Sequence, residues 1–232
     1  MIRFIDISNW QGDINLPALL PSVDGVVCKA TEGTTFVDPY CDGWVQQCIN
    51  AGKLWGFYHF ASSESASEEA EFFIHNCQGY FRKGIPILDW EGNQSVGWVN
   101  AFVKEVHDKT GVWPWIYANP WRFNQGGVEL NCARWVADYP CVTSPSFEQA
   151  ESWKCPEAEG NVVAWQFCSD GRVSGYNRNL DCSLFYGTEN QWMAYALGGN
   201  TASDGESDNP SHDSDISLLE NDEYKITIER KK

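Results

Sequence analysis

Apolar and polar positions along the chain follow two periods, and the switches between them mark a succession of strands and helices. Strand character runs over 2–7, 25–30, 54–60, 85–90 and 113–118. Helical spacing fills the gaps. In 94–109, Val99, Phe102, Val103 and Val106 fall at i, i+3, i+4 and i+7, which gathers them on one helix face. Ala70, Phe73, Ile74 and Cys77 repeat that spacing in 66–79, where Ser65 and Glu68 form a capping-box start. A third helix is expected over 40–51, stopped by Gly52. Beyond Ala118 the rhythm changes. Strands are expected at 133–139, 162–167 and 180–186, joined by segments rich in Pro, Gly and Ser rather than by helices. Five βα units and three further strands make eight strands, enough to close a barrel. An open α/β sheet fits the same pattern.

Near Gly198 the composition shifts. Residues 197–232 carry nine acidic and four basic residues and offer little to bury, so one domain is expected over 1–196. An acidic linker and tail, without a packed structure, is expected over 197–232.

Charge removes several function classes. Sixteen basic against 32 acidic residues leave a net charge of −16, which argues against a protein that tracks nucleic-acid phosphates. Twelve Trp residues suit stacking on sugar rings, and they suit an aromatic core equally. The nine cysteines contain no C-x-x-C pair, and several occupy apolar positions, as expected of small core residues in a reducing cytosol. His59, His75, His107 and His212 show neither H-x-H nor H-E-x-x-H spacing, so no metal or other cofactor is expected. The first residues do not read as a secretory signal, and no apolar run is long enough to span a bilayer. The expectation is synthesis in the cytoplasm followed by release, or export by a route the sequence does not show, with no membrane insertion and action as a monomer.

Nearly every strand ends in a polar or ionisable residue: Asp6, Lys29 with Glu32, His59, Asp89 with Glu91, Tyr117, Asp138 and Gln166. The carboxyl ends of strands are where an α/β barrel places its site. Asp89 and Glu91 stand two apart at the end of an apolar run and share a strand face. Two carboxyl groups held close cannot both ionise freely, so one retains a proton, as cleavage of a glycosidic bond requires.

These residues lie in motifs that resemble the glycoside hydrolase family 25 lysozymes, the Ch-type muramidases that include phage endolysins. The resemblance runs over residues 1 to about 190. It is carried in order by Ile5-Asp6-Ile7-Ser8 with Gln11-Gly12, Lys29-Ala30-Thr31-Glu32-Gly33-Thr34 and Tyr58-His59-Phe60-Ala61. Leu88-Asp89-Trp90-Glu91, Ile116-Tyr117, Trp135-Val136-Ala137 with Tyr139, Trp165-Gln166-Phe167 and Asn179-Leu180-Asp181 follow. It implies an α/β fold, a flattened TIM-like barrel of five βα units and three further strands. The implied reaction is retaining hydrolysis of the β-1,4 bond from N-acetylmuramic acid to N-acetylglucosamine in bacterial peptidoglycan. In that reading Glu91 is the general acid, Asp89 stabilises or orients the reacting sugar, and Asp6 and Asp181 complete an acidic floor. Glu32, Lys29, His59, Tyr58, Tyr117, Trp135, Tyr139 and Gln166 become candidate substrate contacts. A metal-dependent hydrolase lacks its histidines here, and a chitinase-type enzyme lacks its D-x-x-D-x-D-x-E run. The remaining alternative is a catalytically inactive glycan-binding protein on the same scaffold.

Overall fold

The structure, a computed structural model, describes residues 1–62 and 64–199. Most of the expected tail, from residue 200 onward, lies outside the described residues. Among the described residues nine strands occur in chain order: β1 (Ile2–Ile7), β2 (Gly25–Glu32), β3 (Phe36–Val37), β4 (Leu54–Phe60), β5 (Ile85–Asp89), β6 (Trp115–Ala118), β7 (Arg134–Ala137), β8 (Val162–Gly171) and β9 (Leu180–Phe185). Seven α-helices accompany them: α1 (Leu16–Leu19), α2 (Cys41–Asn50), α3 (Ala66–Asn76), α4 (Val96–Thr110), α5 (Pro120–Phe123), α6 (Phe147–Glu151) and α7 (Glu189–Ala196).

Hydrogen bonding runs β1-β2-β4-β5-β6-β7-β8-β9 and returns to β1, so eight strands close a barrel and the open-sheet reading falls. Pairing is parallel from β1 round to β8; β9 runs antiparallel to both neighbours. The short β3 folds back on the end of β2. Helices α2, α3 and α4 stand where expected; α4 buries its predicted face of Val99, Phe102, Val103 and Val106, and α3 buries Ala70 and Phe73 with Ile74 partly covered. A left-handed Gly111, at φ 74°, ends α4. Two helices were not expected. Both α6 and α7 open with a capping box, Ser146 with Gln149 and Thr188 with Gln191. Five residues of α6 are too few for a helical period to show.

Alternation along each strand sorts the side chains into two cores. Ile5, Ile7, Val26, Cys28, Phe57, Leu88, Ile116 and Val136 face the outer helices. Ile2, Phe4, Val27, Ile85, Ile87, Trp115 and Phe185 fill the barrel together with Trp192 and Tyr195 of α7. Helix α7 stoppers the end where the parallel strands begin: the Trp192 ring meets Phe4, Trp115 and Phe185 at 5.3–5.4 Å, and its indole N–H donates to the Trp55 carbonyl at 3.2 Å. The far end is left for polar side chains.

Candidate active site

At that far end, the interior-facing residues one step beyond the apolar layers are Asp6, Lys29, Tyr58, Asp89, Tyr117, Gln166 and Asp181. All seven line a cavity of about 320 Å³. Trp135, Tyr139 and Glu91 border it too, so ten of the twelve candidates named from sequence converge there. Asp181 reaches this rim because β9 is antiparallel, so its first residues meet the carboxyl ends of the other strands. Register sets Asp181 directly beside Asp6.

Two candidates sit elsewhere. His59 follows Tyr58 on β4 and therefore points outward, fully buried between the barrel and its helices. Its Nε2 meets Glu69 at 2.9 Å, its Nδ1 meets Thr31 Oγ1 at 2.8 Å, and its ring stacks on Phe102 at 5.0 Å. That packing corrects the expectation that His59 lines the cleft. Glu32 does not border the cavity. It pairs with Lys29 Nζ at 2.5 Å, and the same ammonium lies 4.9 Å from the Phe60 ring centre.

Burial and mutual repulsion govern the carboxyl groups. Asp89 is raised well above the ordinary carboxylate range, by burial first and then by the charges of Glu91 and Asp6, with Lys29 opposing. Asp6 is likewise raised, by burial and by Asp181, against a hydrogen bond from Gln166 that favours its charged form. Asp181 is pushed up to about 6 by burial and by Glu91. In the Asp89–Glu91 pair, Asp89 is the member whose neutral form burial favours. Glu91 is the exposed member at the mouth. Its backbone carbonyl accepts from Arg122 Nη2 at 2.6 Å, and that guanidinium lies over the Trp90 ring at 5.1 Å.

Gln166, 2% exposed, organises the floor. Its Oε1 accepts from the Tyr117 hydroxyl at 2.6 Å and from the Tyr139 hydroxyl, which leaves Nε2 to donate to Asp6 Oδ2 at 2.9 Å. With both ends committed, the amide can point only one way. Asp89 is the opposite case. Its Oδ1 is sealed from solvent and has no hydrogen-bond partner among the described residues. Such an orphan is costly unless a ligand completes it.

The rim holds a residue that sequence reasoning passed over. Trp10 borders the cavity and is 81% exposed. Its turn is braced at Ser8, whose amide donates to Gln11 Oε1 at 3.0 Å, and at Asn9, whose amide donates to buried Asp38 at 2.7 Å. A capping-box pattern just after Asp6, with a Trp inside it, was the available signal.

The profile of glycosyl hydrolases family 25 matches residues 5–176. The chain belongs to that family. Asp181 lies five positions beyond the matched stretch and is tied to it by the β1–β9 register. Lysozyme M1 of Streptomyces globisporus is 29% identical over 87% of this chain and 72% of its own length. The N,O-diacetylmuramidase of Arthroderma benhamiae is 27% identical over 85% of this chain and 88% of its own. Among solved structures, the family 25 lysozyme from Aspergillus fumigatus superposes with a TM-score of 0.68 at 27% identity, covering 85% of this chain and 99% of that one. The chain is a glycosyl hydrolase on an α/β barrel. Among the described residues no helix is long and apolar enough to cross a membrane.

Proposed function

We propose that this family 25 glycosyl hydrolase is a peptidoglycan hydrolase of the muramidase type. It cleaves the β-1,4 bond from N-acetylmuramic acid to N-acetylglucosamine with retention of configuration. The observation that carries the reading is the convergence of four carboxyl groups at the open end of the barrel: Asp6, Asp89 and Asp181, which burial and mutual repulsion raise, and Glu91 at the mouth. A glycan-binding protein without activity has no use for carboxyl groups kept under that strain.

Roles follow from position. Glu91, exposed at the mouth, meets the leaving oxygen where the departing sugar returns to solvent, and delivers a proton to it. The unpartnered Oδ1 of Asp89 accepts a hydrogen bond from the substrate, for which an acetamido N–H is the fitting donor. Positive charge growing on the ring is stabilised by the negative potential of the acidic floor that Asp6, Asp89 and Asp181 form beneath it. Tyr58, Tyr117, Trp135 and Tyr139 provide the wall, and Gln166 fixes Asp6.

Product analysis tests this. Digested purified peptidoglycan, reduced with borohydride, should yield muramitol ends, and NMR of a fresh digest should show the β-anomer first. Glucosaminitol ends would assign the other glycosidic bond, α-anomer would mean inversion, and release of peptides alone would end the glycosidase reading.

A further inference from the structure

Outside the cleft, the chemistry not yet accounted for lies in two cysteines. Cys168 on β8 and Cys182 on β9 are register partners on antiparallel neighbours. Paired residues on such strands have Cα atoms about 4.5 or 5.5 Å apart, and both spacings suit a disulfide. The two sulfurs also point to one spot. A Cβ added at Gly171 would lie 2.3 Å from the Cys182 sulfur and 3.2 Å from that of Cys168. Gly171 has no positive φ to explain it, so this glycine leaves room for the sulfurs.

We propose that Cys168 and Cys182 form a redox-modification site, a cross-strand dithiol that a low-molecular-weight disulfide converts into an intramolecular disulfide bracing the β8–β9 hairpin. Asp181 adjoins Cys182 in sequence and Gln166 stands two before Cys168, so the brace lies directly behind the cleft floor. In Cys28, Cys41, Cys48, Cys77 and Cys132, burial pushes the thiol up, which makes them inert core residues. Cys168 moves the other way, because the Cys182 thiol hydrogen-bonds to it and favours its thiolate. That same bond, with burial, raises Cys182. One partner is thus the attacking sulfur and the other the resolving one.

The exchange balances. The Cys168 thiolate attacks one sulfur of the oxidant and expels a thiolate, leaving a mixed disulfide. Cys182 gives up its proton to that departing group, attacks the Cys168 sulfur and expels the second thiolate. Two protein thiols are oxidised, one small disulfide is reduced to two thiols, and no other electron carrier is needed. Both cysteines are 2–3% exposed, so the reagent enters as the tip of the hairpin opens.

The test uses the full chain, reduced and then incubated with oxidised glutathione before free thiols are alkylated. Trypsin with a Glu-specific protease yields peptides 160–172 and 179–189, each holding one cysteine. The expected mass is that of the two peptides joined. Closing the fifteen residues from 168 to 182 should also raise Tm by about 5 °C over the reduced protein. Cys168→Ser and Cys182→Ser should abolish both effects, and Cys141→Ser, at an exposed position, should keep them. Separate alkylated or glutathionylated peptides, or a joined pair with an unchanged or lower Tm, would overturn the proposal. Neither readout involves lytic activity, so the proposed function stands or falls separately.

Discussion

The barrel holds two buried clusters of titratable groups that differ in what they leave unsatisfied. Outside it, Glu69 accepts from the amides of Ser62 and Glu64 at 2.9 and 3.1 Å and meets His59 Nε2, while Thr31 completes the ring's other nitrogen. Burial lowers the His59 pKa, so the imidazole is neutral, donating from Nε2 to Glu69 and accepting from Thr31. Inside, Asp6, Asp89 and Asp181 crowd one another, are raised, and leave Asp89 Oδ1 without a partner among the described residues. The outer cluster is saturated and holds a loop in place. Its inner counterpart costs the fold stability and keeps an open valence for a substrate. Burial of ionisable groups alone therefore does not set the clusters apart; raised carboxyl groups and an unpartnered oxygen gathered on one open cavity do.

The sharpest test of that contrast is Glu91→Gln. The amide keeps the shape but has no acidic proton, so turnover on peptidoglycan should fall about 10²–10⁴-fold, with an unchanged circular dichroism spectrum and Tm. Retention of a tenth of the activity would remove Glu91 as the acid. The mirror experiment is Glu69→Ala, which strips an acceptor from three donors. It should cost about 3–5 kcal/mol in urea unfolding, while the folded fraction keeps its specific activity within about threefold. A collapse in activity without loss of stability would place the outer cluster in the chemistry.

This division was half legible in the sequence. Apolar runs leading into Asp6, Lys29 and Asp89 marked the end of the barrel they would occupy, whereas Tyr58 entered only through its motif. Naming Tyr58 and His59 together asked two successive strand residues to face one way, which the pleat forbids. His59 went astray for that reason, and its true partner, Glu69, is a helix residue that no local pattern links to it. Asp181 was reachable through its motif alone, because its place depends on an antiparallel β9. Trp10 sits in a turn whose bracing by Asp38 spans 29 positions, and no period reports that.

Titration distinguishes the clusters more finely. With a folded value near 6 against an ordinary 3.8, Asp181 contributes stability that is complete below about pH 4 and is lost as pH rises through 6. Wild type should therefore lose about 2 kcal/mol, or roughly 4–8 °C, relative to Asp181→Asn between pH 4 and pH 7.5. His59 acts in the opposite sense, since its lowered pKa removes stability as pH falls through 6.5. The difference between wild type and variant cancels that contribution. A difference that stays flat with pH would mean that Asp181 is not held in its neutral form.

The smallest effect expected is at the rim, where neither kind of burial applies. Trp10 is 81% exposed, so Trp10→Ala removes little packing and should leave Tm within a degree. The Ser8–Gln11 cap holds the backbone of its turn, and the indole offers a plane for a sugar face next to the acidic floor. Stacking of that kind is worth about 1 kcal/mol, so KM on soluble glycan fragments should rise about fivefold. Because the contact lies away from the bond that breaks, ground state and transition state feel it equally, and kcat should not move. An unchanged KM would make Trp10 an exposed aromatic without a ligand. A fall in kcat with KM constant would bring it into the reacting subsite, beside Glu91 rather than at the edge of the cleft.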